Sequence, residues 1–134
     1  MYKRQVYAWS KVVRLHCANT NFELLGVQGA VLLHIGVVPR DLTYIFNAHG
    51  PNEAWGNEEI IPINDSLTEA ATANILIKIQ AEAYTIVING IEVHTFEKRF
   101  PDMNVVGVAY NAEGPVGETV WDSSLKVEVN GLDA

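Results

Sequence analysis

The chain has 134 residues, 49% of them hydrophobic and 19% charged, which is enough apolar material to bury a core in one domain spanning 1–134. Sixteen acidic against nine basic residues give a net charge of -7 with no cluster of Lys and Arg, so nucleic acid and anionic membrane surfaces are poor partners. The single cysteine, Cys17, excludes an internal disulfide framework and a cysteine zinc cage, and no stretch approaches the ~18 apolar residues of a membrane span.

In chain order, the first ten residues hold no apolar signal core, so we expect a protein made without a classical secretion signal. Candidate strands follow at 12–17, 22–25, 29–38, 43–47 and 58–63, short runs rich in β-branched and aromatic residues with Gly, Pro, Asn or Asp between them. Residues 66–73 carry the main helical signal, with Ser66 a cap three residues before Glu69. Lying between strands and only eight residues long, they read as a loop or a single turn. Residues 74–80 then alternate cleanly: Ile75, Ile77 and Ile79 share one face, and Leu76, Lys78 and Gln80 the other. The run 84–88 enters Asn89-Gly90 and is followed by 91–96, the strongest local hairpin signal, because both turn positions require positive φ. Further runs at 104–110 and 125–129 bring the total to about ten short strands. Such a pattern predicts an all-β chain folded as an antiparallel sandwich or barrel.

Catalytic signatures are missing. Gly107 and the glycines at 114 and 117 match no dinucleotide or phosphate loop, and Ser10, Ser66, Ser123 and Ser124 lie in no nucleophile elbow. His16, His34, His49 and His94 show no metal-ligand spacing, and Cys17 sits in an apolar run as a small buried hydrophobe would. Glu58 and Glu59 are adjacent, so a strand points them to opposite faces and they cannot act as a glycosidase pair.

The chemistry that remains lies in three successive strands, around His34, around Asn47, and at Trp55 and Glu58. Recognition of a pyranose needs a flat aromatic face for its apolar side and directional donors and acceptors for its hydroxyls. Trp55, His34, Asn47 and Glu58 are those residue types. Taken alone they fit better a buried Trp, a satisfied core His and two exposed polar residues.

Order and spacing decide between these readings. Ile45-Phe46-Asn47, then Trp55-Gly56-Asn57-Glu58-Glu59 eight residues on, with His34 upstream, resembles the carbohydrate-recognition motif of the galectins. The resemblance continues through the alternating strand at 74–80, the Asn89-Gly90 turn and Phe96-Glu97-Lys98-Arg99-Phe100-Pro101, and covers about 11–129. It implies an antiparallel jelly-roll sandwich and a non-catalytic lectin binding galactoside-containing or altered glycans in a groove centred on Trp55. His34, Asn47, Trp55 and Glu58 are the implied ligands. No metal or other cofactor is implied, and the cellular location is the cytoplasm with non-classical export. Edge strands such as 125–129 or 12–17 could pair two copies across a two-fold axis.

Three positions depart from the family pattern: Gly36 replaces its Asn, while Val38 and Ile60 replace its arginines. Arg40 shares strand parity with Val38, so a shifted register or a bulge would bring it toward the same face as a substitute ligand. Each charged hydrogen-bond partner lost costs ~1.5–3 kcal/mol, so the resemblance implies an altered or weakened site. The competing expectation is a relative that has lost sugar binding and acts as a protein-interaction or structural module.

Overall fold

A computed structural model of the chain describes residues 4–11, 20–38, 41–63, 72–112 and 126–130. They form ten strands: β1 (Arg4–Lys11), β2 (Thr20–Leu25), β3 (Val31–Val38), β4 (Thr43–His49), β5 (Glu59–Pro62), β6 (Thr72–Ile79), β7 (Ala83–Ile88), β8 (Ile91–Glu97), β9 (Gly107–Ala112) and β10 (Lys126–Asn130). Every pairing is antiparallel, in two five-stranded sheets ordered β10-β1-β6-β7-β8 and β5-β4-β3-β2-β9. The expected all-β sandwich is the observed one. Among the described residues no helix is long and apolar enough to cross a membrane.

The core lies between the sheets and follows from alternation. Phe22, Leu24, Leu33, Ile35, Val37, Tyr44 and Phe46 of one sheet meet Ile75, Ile77, Tyr84, Ile86, Ile88 and Phe96 of the other, all buried. Because successive side chains take opposite faces, the inward set fixes an outward set on the same strands: Asn21 and Glu23, His34 and Gly36, Ile45 and Asn47.

Three details differ from the sequence reading. β1 was not anticipated, although it lies between β10 and β6 inside its sheet. The run expected to start at residue 29 begins instead at Val31, after a 3-10 turn over Val27–Gly29 with positive φ at Gln28 and Gly29. Thr72 and Ala73, assigned above to a loop or turn, open β6, while the rest of 66–73 and the candidate strand 12–17 lie outside the described residues.

The hairpin joining β7 and β8 turns as expected, with φ of 51° at Asn89 and 83° at Gly90. Asn89 also ties the turn to β6: its Oδ1 accepts from the Asn74 backbone N–H at 2.8 Å, and its own N–H donates to the Asn74 carbonyl at 2.9 Å. A Cβ at Gly90 would meet nothing within 4 Å, so the cost of a substitution there is purely conformational. Gly90→Ala is expected to lower stability by about 1–2 kcal/mol, read as a fall in Tm of several degrees. An unchanged melting curve would contradict the left-handed turn.

Candidate functional site

Register sets two rows of side chains on the outer face of the second sheet. In the first, Glu23 of β2 opposes His34 of β3, and His34 opposes Asn47 of β4. In the second, Asn21 opposes Gly36, Gly36 opposes Ile45, and Ile45 opposes Ile60 of β5. Trp55 overhangs the first row from the segment linking β4 to β5. That segment is drawn back to β4 by the Gly56 N–H, which donates to the Ala48 carbonyl at 3.1 Å.

Trp55 is 48% exposed and gripped edge-on by two imidazoles. The ring of His34 lies 5.1 Å away at 65°, and that of His49 lies 4.5 Å away at 89°. Beside it is a recess of about 320 Å³ lined by His34, Asn47, Trp55, Gly56 and Glu58. Four of the five residues singled out from the sequence therefore meet around one cavity. The fifth, Arg40, lies outside the described residues. A larger depression of about 500 Å³ is lined by Val27, Phe100, Pro101 and Met103 together with Arg99 and Asp102. Groups that could read hydroxyls gather in the smaller recess.

His34 and Asn47 have defined orientations there. His34 Nδ1 lies 2.7 Å from Glu23 Oε2, and donation to that carboxylate leaves Nε2 of the neutral ring as an acceptor. Asn47 is 4% exposed and nearly saturated. Its Oδ1 accepts from the Ala48 N–H and from Arg99 Nη1, both at 2.8 Å, and its Nδ2 donates to the Gly56 carbonyl at 2.9 Å. One amide proton of Asn47 remains for a ligand.

Arg99, two residues beyond β8 in the other sheet, joins this loop to the strands β4 and β5 on either side of it. Besides Asn47, its Nη2 donates to the Asn57 carbonyl at 2.7 Å and to Glu59 Oε2 at 3.1 Å. The guanidinium carbon lies 4.8 Å from the centre of the Phe96 ring, which fixes the plane of the fork. Glu59 pairs with Phe46 and turns away from the recess, and its other oxygen lies 2.7 Å from His94 Nε2. Glu58 lines the recess. The adjacent carboxylates thus divide between the two faces, one toward solvent and one toward the network that anchors the loop. A Cβ at Gly56 would approach Arg99 Nη1 to 2.6 Å, so a side chain there has to shift the guanidinium.

Residues 9–117 match the family described as galactoside-binding lectin. The chain belongs to the galectin family. It is 30% identical over 114 residues to Galectin-2 of Coprinopsis cinerea, covering 84% of this chain and 71% of that protein. To Galectin-1 of the same organism it is 25% identical over 123 residues, covering 92% and 78%. The structure of sheep Galectin-11 in complex with glycerol superposes with a TM-score of 0.73 over 96% of this chain and 91% of that one, and at 12% identity the likeness is one of fold. As a galectin, the chain is a carbohydrate-binding lectin.

Within this galectin, sequence reasoning passed over four site residues. Glu23 and His49 fall on the outer face by strand parity once β2 and β4 are given their full lengths. Arg99 and Glu59 were visible only as members of motifs, and their contact spans 40 residues of sequence and two sheets.

Proposed function

We propose that this galectin binds glycans in the recess centred on Trp55, with a specificity shifted away from ordinary β-galactosides. The observation that carries this reading is the half-exposed Trp55, held edge-on by His34 and His49 above a polar recess. An exposed indole fixed in this way offers a flat apolar platform to the C–H face of a sugar ring. His34 Nε2 accepts one hydroxyl, the remaining amide proton of Asn47 donates to another, and Glu58 accepts at the rim. Val38 and Ile60 bring no charge to the groove, and Ile60 is 56% exposed beside Ile45. At Ile60 the second row is therefore apolar where the family resemblance expects a guanidinium, which favours a ligand presenting fewer hydroxyls there.

The apolar Ile45–Ile60 pair supports a second reading, a galectin fold that docks protein rather than sugar. One experiment separates the two. A glycan array on the wild type, followed by calorimetry with lactose and with the strongest array ligand, is expected to show binding that EDTA leaves unchanged. The array ligand should bind more tightly than lactose, and Trp55→Ala should weaken it tenfold or more, the equivalent of about 1.4 kcal/mol or more. If no glycan binds the wild type, the lectin reading fails and the docking reading stands.

A further inference from the structure

Gly36 lies in the second row beneath three groups that converge on the place where a side chain would begin. A Cβ built there would lie 3.2 Å from His34 Nε2, 3.5 Å from Asn21 Oδ1 and 3.6 Å from the Ile45 carbonyl. The first distance is tighter than ordinary van der Waals contact, so any residue larger than glycine displaces the imidazole that Glu23 holds in place. The carboxamide over this position therefore comes from β2, through the Asn21–Gly36 pairing, and not from β3. Asn21 is partly exposed and shares the outer face with Glu23 and His34.

We propose that Asn21 is a specificity-determining ligand of the glycan site. Its carboxamide hydrogen-bonds a sugar hydroxyl in the bay above Gly36, next to the hydroxyl accepted by His34 Nε2. This inference rests on the Trp55-centred reading and deepens it. Chemically, the carboxamide supplies both a donor and an acceptor, and so suits a hydroxyl that uses both its proton and a lone pair. Gly36 and Asn21 then act as a couple: the glycine makes room, and the neighbouring strand fills it with the polar group. The ligand meets that group one strand further from Trp55 than a side chain on β3 would present it, so the selected sugar has its hydroxyl displaced toward β2.

The test is calorimetric, using the strongest array ligand on wild type, Asn21→Ala, Trp55→Ala, Gly36→Asn and the double variant Asn21→Ala/Gly36→Asn, with thermal melts to check folding. Asn21→Ala is expected to weaken binding about two- to tenfold, the range for one neutral hydrogen bond, without moving Tm by more than a degree or two. Gly36→Asn alone should also weaken binding, because it crowds His34. The double variant keeps the Cβ that crowds His34, so it is expected to bind no tighter than Gly36→Asn. If Asn21→Ala binds like wild type while Trp55→Ala loses affinity, the Trp55 site stands and the role of Asn21 is overturned. A double variant that binds like wild type overturns it as well. If Trp55→Ala and Asn21→Ala both bind like wild type, or if no glycan binds at all, the Trp55-centred reading falls and takes this inference with it.

Discussion

Replacing Arg99 with methionine is expected to weaken glycan binding by about a hundredfold and to lower stability by about 2 kcal/mol, although Arg99 does not line the recess. Two of its three acceptors are backbone or side-chain groups of the Trp55 loop and its anchor: the Asn57 carbonyl and Asn47 Oδ1. The third is Glu59. Methionine fills much of the volume over Phe96 but leaves Asn47 Oδ1, on a residue 4% exposed, with only one donor. Glu59 keeps only His94. The side chains of the Arg99–Glu59 pair are 26% and 37% exposed, so solvent screens it and the ion pair itself contributes little. Most of the stability loss comes from the acceptors that lose one of their donors. The larger effect falls on binding, because the loop between Trp55 and Glu59 loses the fork that sets its height above the sheet, and a shift of about 1 Å in a positioned group can cost ~100-fold. Arg99→Lys should recover part of the Tm through Glu59 but little affinity, since one ammonium cannot span three acceptors in a plane. Gly56→Ala approaches the same result from the other side by pushing against Nη1. A lysine variant that binds as tightly as wild type would show that the loop is held by something other than the planar fork.

Arg99 also marks the boundary of what the sequence alone conveys. Period-two alternation located most of the strands, because a half-buried strand must alternate and the residues at 74–80 place Ile75, Ile77 and Ile79 on one face. The Asn89-Gly90 turn was equally legible, since its two positive φ values restrict the residue types to a few. β1 was not. Its residues Val6 and Ala8 lie on one parity and Tyr7 and Trp9 on the other, so no single face is apolar, and only the partners β6 and β10 make it a strand. The same limit applies to the site. His34, Asn47, Trp55 and Glu58 come from consecutive segments of one sheet, so their order along the chain carries their proximity. The Glu23–His34 and Asn21–Gly36 pairs depend on the β2–β3 register, which a one-residue slip would have sent to the other face. Arg99 reaches Asn47 across the sandwich and 52 residues of sequence, a contact set by the stacking of two sheets that no local pattern encodes.

The strand pair that delivers Arg99 is expected to give way in alkali. Tyr84 of β7 opposes Phe96 of β8 and is 1% exposed, and burial pushes its phenol up from 10.0 to about 12. Desolvation disfavours the phenolate, so the folded chain keeps the proton that the unfolded chain releases near pH 10. Between those two values the unfolded state binds fewer protons than the native state, and stability falls as pH rises. The fall is about 1.4 kcal/mol per pH unit, or about 2–3 kcal/mol across the window, while below about pH 9 Tyr84 contributes no pH dependence. Urea midpoints measured from pH 8 to 11.5 on wild type and Tyr84→Phe isolate this contribution, because every other titrating group is common to both. Wild type should lose more stability than the phenylalanine variant above pH 10, and the difference should keep growing to the top of the range. Parallel curves would mean that the Tyr84 hydroxyl reaches solvent when it ionises. Since β7 and β8 carry Arg99 to the loop, glycan affinity is expected to fall in wild type over the same interval and to persist to higher pH in Tyr84→Phe.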